Sequence, residues 1–107
     1  MNRELKRLEF LVLAVVQETP SHGYGIVQAI ERLTDGSVRV RPGSLYRVLD
    51  RMMAAGLLDR LDRRPTPDES ADARRTYYGI TPKGRSVLRS EAELLSAVAT
   101  RVIASGG

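Results

Sequence analysis

Residues 41–56, Arg-Pro-Gly-Ser-Leu-Tyr-Arg-Val-Leu-Asp-Arg-Met-Met-Ala-Ala-Gly, constrain the fold of this chain more than any other stretch. At about 100° per residue, Leu45, Val48, Leu49 and Met52 fall on one stripe that runs on to Leu57. Ser44, Arg47 and Arg51, continued by Ala54, fall on the opposite stripe. Pro42 and Ser44 are start signals and Gly56 is a stop. A helix docked through one face, with two guanidinium groups and a hydroxyl on the other, suits a DNA major groove. The same pattern on an isolated helix is also that of a solvated surface, so the flanking segments decide between the two.

Upstream, residues 4–18 repeat apolar side chains at Leu5, Leu8, Leu11, Val12, Val15 and Val16, and Phe10, Leu13 and Ala14 widen the stripe. This predicts a helix buried on several sides. Thr19-Pro20-Ser21 breaks it, and His22-Gly23-Tyr24-Gly25 opens a second helix with Ile26, Val27, Ile30 and Leu33 at core spacing. Asp35-Gly36 ends that helix as a turn dipeptide. Val38-Arg39-Val40 is β-prone and is expected to supply one ladder rung. After the helix at 42–55, residues 57–64 and 74–80 read as strands. The polar, proline-bearing segment 65–73 joins them and is too long for a tight hairpin. Thr81-Pro82 is an N-cap followed by proline at the first helical position, opening a helix to about residue 104.

The expected fold is therefore mainly α with a small β-hairpin (α+β): a winged helix-turn-helix plus a long C-terminal dimerisation helix. Residues 1–81 form the winged-helix DNA-binding domain. Residues 82–105 form the dimerisation helix, packed with the first helix in one structural unit. The second and third helices make the turn unit and the third is the recognition helix. At 107 residues there is room for one core only, and a chain this small buries little enough surface to leave an opening for oligomerisation.

The balance of 17 Lys and Arg against 13 Asp and Glu favours a polyanionic partner. Arg63-Arg64 and Arg74-Arg75 collect four guanidinium groups near the wing tip. Strand alternation turns Tyr78 and Ile80 to the core and places Arg75 and Tyr77 on the outer face. A basic hairpin with an outward tyrosine grips backbone or enters a minor groove. The alternative is that these arginines pair with Asp68, Glu69 and Asp72 in the loop between them. At the start of the second helix, Ser21-His22-Gly23-Tyr24 offers free N–H groups to a phosphate. His22 is expected to be structural or phosphate-contacting, and Tyr24 and Tyr46 to pack between helices with their hydroxyls reaching polar partners. Arg41, at the entrance to the recognition helix, completes the candidate DNA-binding set.

Nothing in the sequence points to an enzyme: no nucleophile with its base, no phosphate loop and no paired metal ligands. With one histidine and no cysteine, a metal centre is not expected, nor any other cofactor. The absence of cysteine fits a reducing cytoplasm. The run from Phe10 to Val16 is too short to span a bilayer. The basic-then-apolar start lacks a small-residue cleavage site, so it reads as the first helix and the chain as cytoplasmic.

The final helix carries Val87, Leu88, Leu94, Leu95, Val98, Val102 and Ile103, with Ala92 and Ala99, as a broad apolar band. A small winged-helix core cannot cover it, so a second copy is the expected cover, joined by Leu5 and Leu8 of the first helix. The expected dimerisation set is Leu5, Leu8, Leu88, Leu94, Leu95, Val98, Val102 and Ile103.

Several segments together resemble the PadR family of bacterial transcriptional regulators, in its short form with a single C-terminal helix. They are Leu-Glu-Phe-Leu-Val-Leu-Ala-Val-Val at 8–16, Pro-Ser-His-Gly-Tyr-Gly-Ile at 20–26 and Arg-Pro-Gly-Ser-Leu-Tyr-Arg-Val-Leu-Asp-Arg-Met at 41–52. Ala-Gly-Leu-Leu at 55–58 and Arg-Arg-Thr-Tyr-Tyr-Gly-Ile-Thr-Pro-Lys-Gly-Arg at 74–85 complete the set. The resemblance implies a homodimer that represses promoters by binding imperfect palindromes in double-stranded DNA, often relieved by phenolic acids, drugs or another small hydrophobic effector. It places Ser44, Leu45, Tyr46 and Arg47 on the exposed part of the recognition helix and Arg74, Arg75 and Tyr77 on the wing. Arg47 stands where the family often has proline, and Gly25 where glutamate is common. Some members hold aromatic drugs between tryptophans, and this chain has none. The rival function is a winged-helix protein–protein interaction module without sequence-specific DNA binding. It would need no basic face.

Overall fold

The packing of the first helix organises the molecule. In the computed structural model, which describes residues 5–61 and 76–106, helix α1 (Arg7–Glu18) buries Val12, Leu13, Val15 and Val16. It begins later than its apolar pattern, because the Glu9 carboxylate turns back to accept from the Lys6 N–H at 2.9 Å. That local bond helps explain how an acidic side chain comes to lie almost wholly buried. Helix α2 (Gly23–Leu33) sets Ile26 and Ile30 against α1. It ends where Asp35 (φ 53°) and Gly36 (φ 79°) turn left-handed and return their N–H groups to Arg32 and Glu31. Helix α3 (Pro42–Ala54) buries Leu45, Val48, Leu49 and Met52, the four positions its periodicity assigns to the core.

Three short strands complete the domain: β1 (Ser21–His22), β2 (Leu58–Leu61) and β3 (Tyr77–Ile80), in the antiparallel order β1-β3-β2. Leu58 lies opposite Ile80 and Arg60 opposite Tyr78. On the other edge, Ser21 faces Tyr78 and His22 faces Tyr77. The third rung is thus Ser21–His22, not Val38–Val40 as the local β-propensity suggests. Val38 gives its N–H to Thr34 Oγ1 at 3.1 Å, and Val38 and Val40 spend their side chains against the core. Residues 62–64 and 74–75 of the two expected strands, and the whole segment between them, lie outside the described residues.

Helix α4 (Pro82–Ala104) starts at the Thr81 cap, whose side chain accepts from the Gly84 N–H at 2.9 Å. Its first turns pack on α1 through Leu88 and Val87. From Glu93 to Gly106 every residue is exposed, and the helix stretches the molecule to 51 Å along its long axis. Among the described residues no helix is long and apolar enough to cross a membrane.

Candidate nucleic-acid interface

The core face of α3 fixes its other face. Leu45, Leu49 and Met52 are completely buried, so the helix has no freedom to roll about its axis. Ser44, Arg47 and Arg51 are consequently held outward together, with Arg41 and Asp50 beside them. The N-terminal turn is open: Arg41 is the cap residue with no side-chain cap, Pro42 has no N–H to satisfy, and nothing lies within 4 Å of a Cβ built on Gly43. A backbone can therefore approach the start of this helix closely.

Tyr46 ties the helix to α2. A Cβ on Gly23 would stand 2.6 Å from the Tyr46 hydroxyl oxygen, so the ring lies directly over that glycine. The expected packing between helices holds for Tyr46, whose remaining surface is half exposed. It does not hold for Tyr24, which is 58% exposed on the first turn of α2. With Gly23 already under Tyr46, the next residue of the helix turns away from the crossing.

His22 has a structural task. Its Nδ1 accepts from the Gly25 N–H at 3.1 Å, which assigns the ring proton to Nε2 and caps α2. One of the N–H groups expected to face a phosphate is thereby already used. The ring also meets Tyr77 edge-on, with centroids 5.3 Å apart and planes at 89°. Tyr77 is on the face opposite Tyr78, as alternation requires, yet it is half-buried against this histidine and not fully outward. Tyr78 is buried, and burial pushes its phenol above the ordinary 10.0, while Arg60 on the neighbouring strand pulls it down. Tyr46 and Asp50 of α3 act on the same hydroxyl in the raising direction.

Arg60 is the residue that the sequence reading leaves out. It is exposed on β2, opposite Tyr78 in the strand register. Alternation alone hides it, because Arg60 shares the face of buried Leu58 and its register partner Tyr78 is buried too. Those four, Arg63, Arg64, Arg74 and Arg75, lie outside the described residues.

The expected dimerisation set divides in two. Leu94, Leu95, Val98, Val102 and Ile103 are between 43% and 76% exposed along one side of α4. Leu5 and Leu88 are instead 6% and 5% exposed, packed into the chain's own core, and Leu8 is half-buried. Helix α1 and the early turns of α4 pack together, and among the described residues the outer half of α4, from Glu93 on, is bare.

Comparison with known proteins agrees with this architecture. The family model described as "Transcriptional regulator PadR-like family" matches residues 12–90. An uncharacterised 37.1 kDa protein in transposon TN4556 of Streptomyces fradiae is 34% identical over 97 residues, 91% of this chain. The chain spans 25% of the length of that curated relative. Among solved structures, a PadR family transcription regulator from Clostridium difficile superposes with a TM-score of 0.76 at 20% identity, covering 95% of this chain and 100% of that one. A PadR-like transcriptional regulator from Bacillus cereus superposes with a TM-score of 0.70 at 26% identity, covering 89% and 86%.

Proposed function

The chain belongs to the PadR-like family of transcriptional regulators, and from that membership we propose that it is a dimeric repressor that reads an imperfect palindrome in double-stranded DNA. One observation carries the proposal: Ser44, Arg47 and Arg51 stand exposed on a helix whose opposite face is entirely committed to the core. Arg47 and Arg51 are the candidates for base edges in the major groove, where a guanidinium reads guanine through two parallel bonds. Arg41, Ser44 and the open first turn of α3 suit phosphate, as do Tyr24 and the wing arginines Arg63, Arg64, Arg74 and Arg75. His22 and Tyr77 support the wing from beneath, and Tyr46 holds α3 against α2. A second copy covers Leu94, Leu95, Val98, Val102 and Ile103, giving two reading helices roughly 34–36 Å apart, one turn of duplex.

Relief by a small hydrophobic effector is supported by a groove of about 640 Å³ between α1 and the start of α3. Leu8, Leu11, Val38 and Val40 form its floor and Arg7, Arg39 and Arg41 its rim. Because Arg41 and Ser44 belong both to this groove and to the entrance of α3, a ligand seated there displaces part of the DNA-facing surface.

The test is Arg47→Ala with Arg51→Ala, measured by fluorescence anisotropy on a duplex selected from random sequence. Each good base contact is worth about 1–3 kcal/mol, so the double variant should lose at least about thirtyfold in affinity for each half-site. Its mass by light scattering should remain that of the parent. Operator affinity equal to the parent's would dismiss α3 as the reading element.

A further inference from the structure

The two helices given different tasks above, α3 for reading and α4 for pairing, are fastened together by a short joint. α3 closes on a left-handed glycine: Gly56 has φ +78°, its N–H reaches Met53 O at 3.0 Å, and the Leu57 N–H reaches Met52 O at 2.9 Å. The carbonyls of Ala55, Gly56 and Leu57 are all taken by the start of α4. Lys83 Nζ donates to Ala55 O at 2.9 Å, Thr81 Oγ1 to Gly56 O at 2.6 Å and the Thr81 N–H to Leu57 O at 3.1 Å. The Thr81 hydroxyl is thus the cap of α4 and its strap to α3 at once. Gly84 completes the joint by having no side chain, since a Cβ there would collide with Leu57 O and stand 2.9 Å from Ile80 Cγ1.

Past Ala92, no described residue of its own domain covers α4, because residues 93–106 are all exposed. A change of angle at the joint, taken up by the Leu88 and Val87 packing on α1, is therefore carried along the bare half to the far end. A tilt of about 5° moves the tip of a roughly 35 Å helix by about 3 Å, close to the roughly 3.4 Å step along a DNA strand. We propose that Thr81, Lys83 and Gly84 are positioning residues that set the half-site spacing the dimer accepts, by fixing the angle between reading and pairing helices. This rests on the dimeric DNA-binding function proposed above.

Lys83→Met and Thr81→Val test it. Each is measured on inverted half-sites with spacers lengthened and shortened by one and two base pairs, on a single half-site duplex, and by light scattering. The parent should prefer one spacing by at least about tenfold, as rigidly paired reading helices require. Lys83→Met should flatten that preference at least about threefold, with single half-site affinity and dimer mass unchanged, and Thr81→Val should flatten it further. Lys83 is exposed, so its variant decides the matter if Thr81→Val does not fold. An intact spacing preference, or an equal loss at every spacing, overturns the joint and leaves the dimeric function standing. A parent that binds no duplex, or binds all spacings alike, overturns the dimeric function and the joint with it.

Discussion

Gly23 shows how a single missing atom shapes the surface proposed to meet DNA. The Tyr46 ring occupies the place where a side chain on Gly23 would go, and that contact lets α2 and α3 cross closely. Gly23→Ala should force the phenol aside, cost about 1–3 kcal/mol of stability by overpacking, and lower operator affinity beyond what the lost stability explains. Urea denaturation alongside anisotropy checks both effects, and a variant with unchanged affinity would show that Tyr46 does not position α3. The need for glycine here is invisible in a sequence, because it exists only once the crossing partner is known. The burial of Glu9 is hidden for a different reason, since a carboxylate on a helix reads as solvated until its local bond to the Lys6 N–H is seen.

At the scale of elements, the outer half of α4 bears an apolar stripe with no cover among the described residues. Leu95 is 43% exposed, so a charge there meets water in the monomer and costs the fold little. Leu95→Glu is expected to leave a folded chain of 11.8 kDa by light scattering, with helicity lost only at the C-terminal end. Undiminished dimer mass would move the seam elsewhere. The helices were legible in the sequence because each is patterned at its own period: the four core positions of α3 and the Thr81 start of α4 follow from spacing and capping alone. Strand β1 was not legible. Two residues carry no periodicity, and Ser21–His22 becomes a strand only because Tyr77 and Tyr78 lie beside it. Likewise Leu5 and Leu88 read as interface because they continue the apolar stripe, and only packing reveals that both are spent in the chain's own core.

For the whole molecule, the formal net charge of +4 understates the field a duplex would meet. The cations concentrate at α3, where Arg41, Arg47 and Arg51 stand against Asp50 alone, whereas residues 58–80 balance five arginines with five acids, and Glu31 and Glu93 lie beside Arg39 (3.6 Å) and Arg89 (3.8 Å). A dimer that neutralises about 6–10 phosphates should show log affinity falling against log salt with a slope of about −5 to −9. A slope shallower than about −2 would mean that the arginines do not face the backbone.

The bare end of α4 also has a consequence in mass action. Residues 93–106 have no cover among the described residues, so this end of α4 is free to fray from its packed first turns. If the proposed second copy supplies its cover, dilution should fray the helix end and dissolve the pair together. Hydrogen exchange at residues 94–104 should therefore accelerate on dilution while α1 and α3 stay protected. Promoter occupancy would then rise with the square of the protein's concentration at low levels, making copy number itself a signal that the fold converts into a threshold.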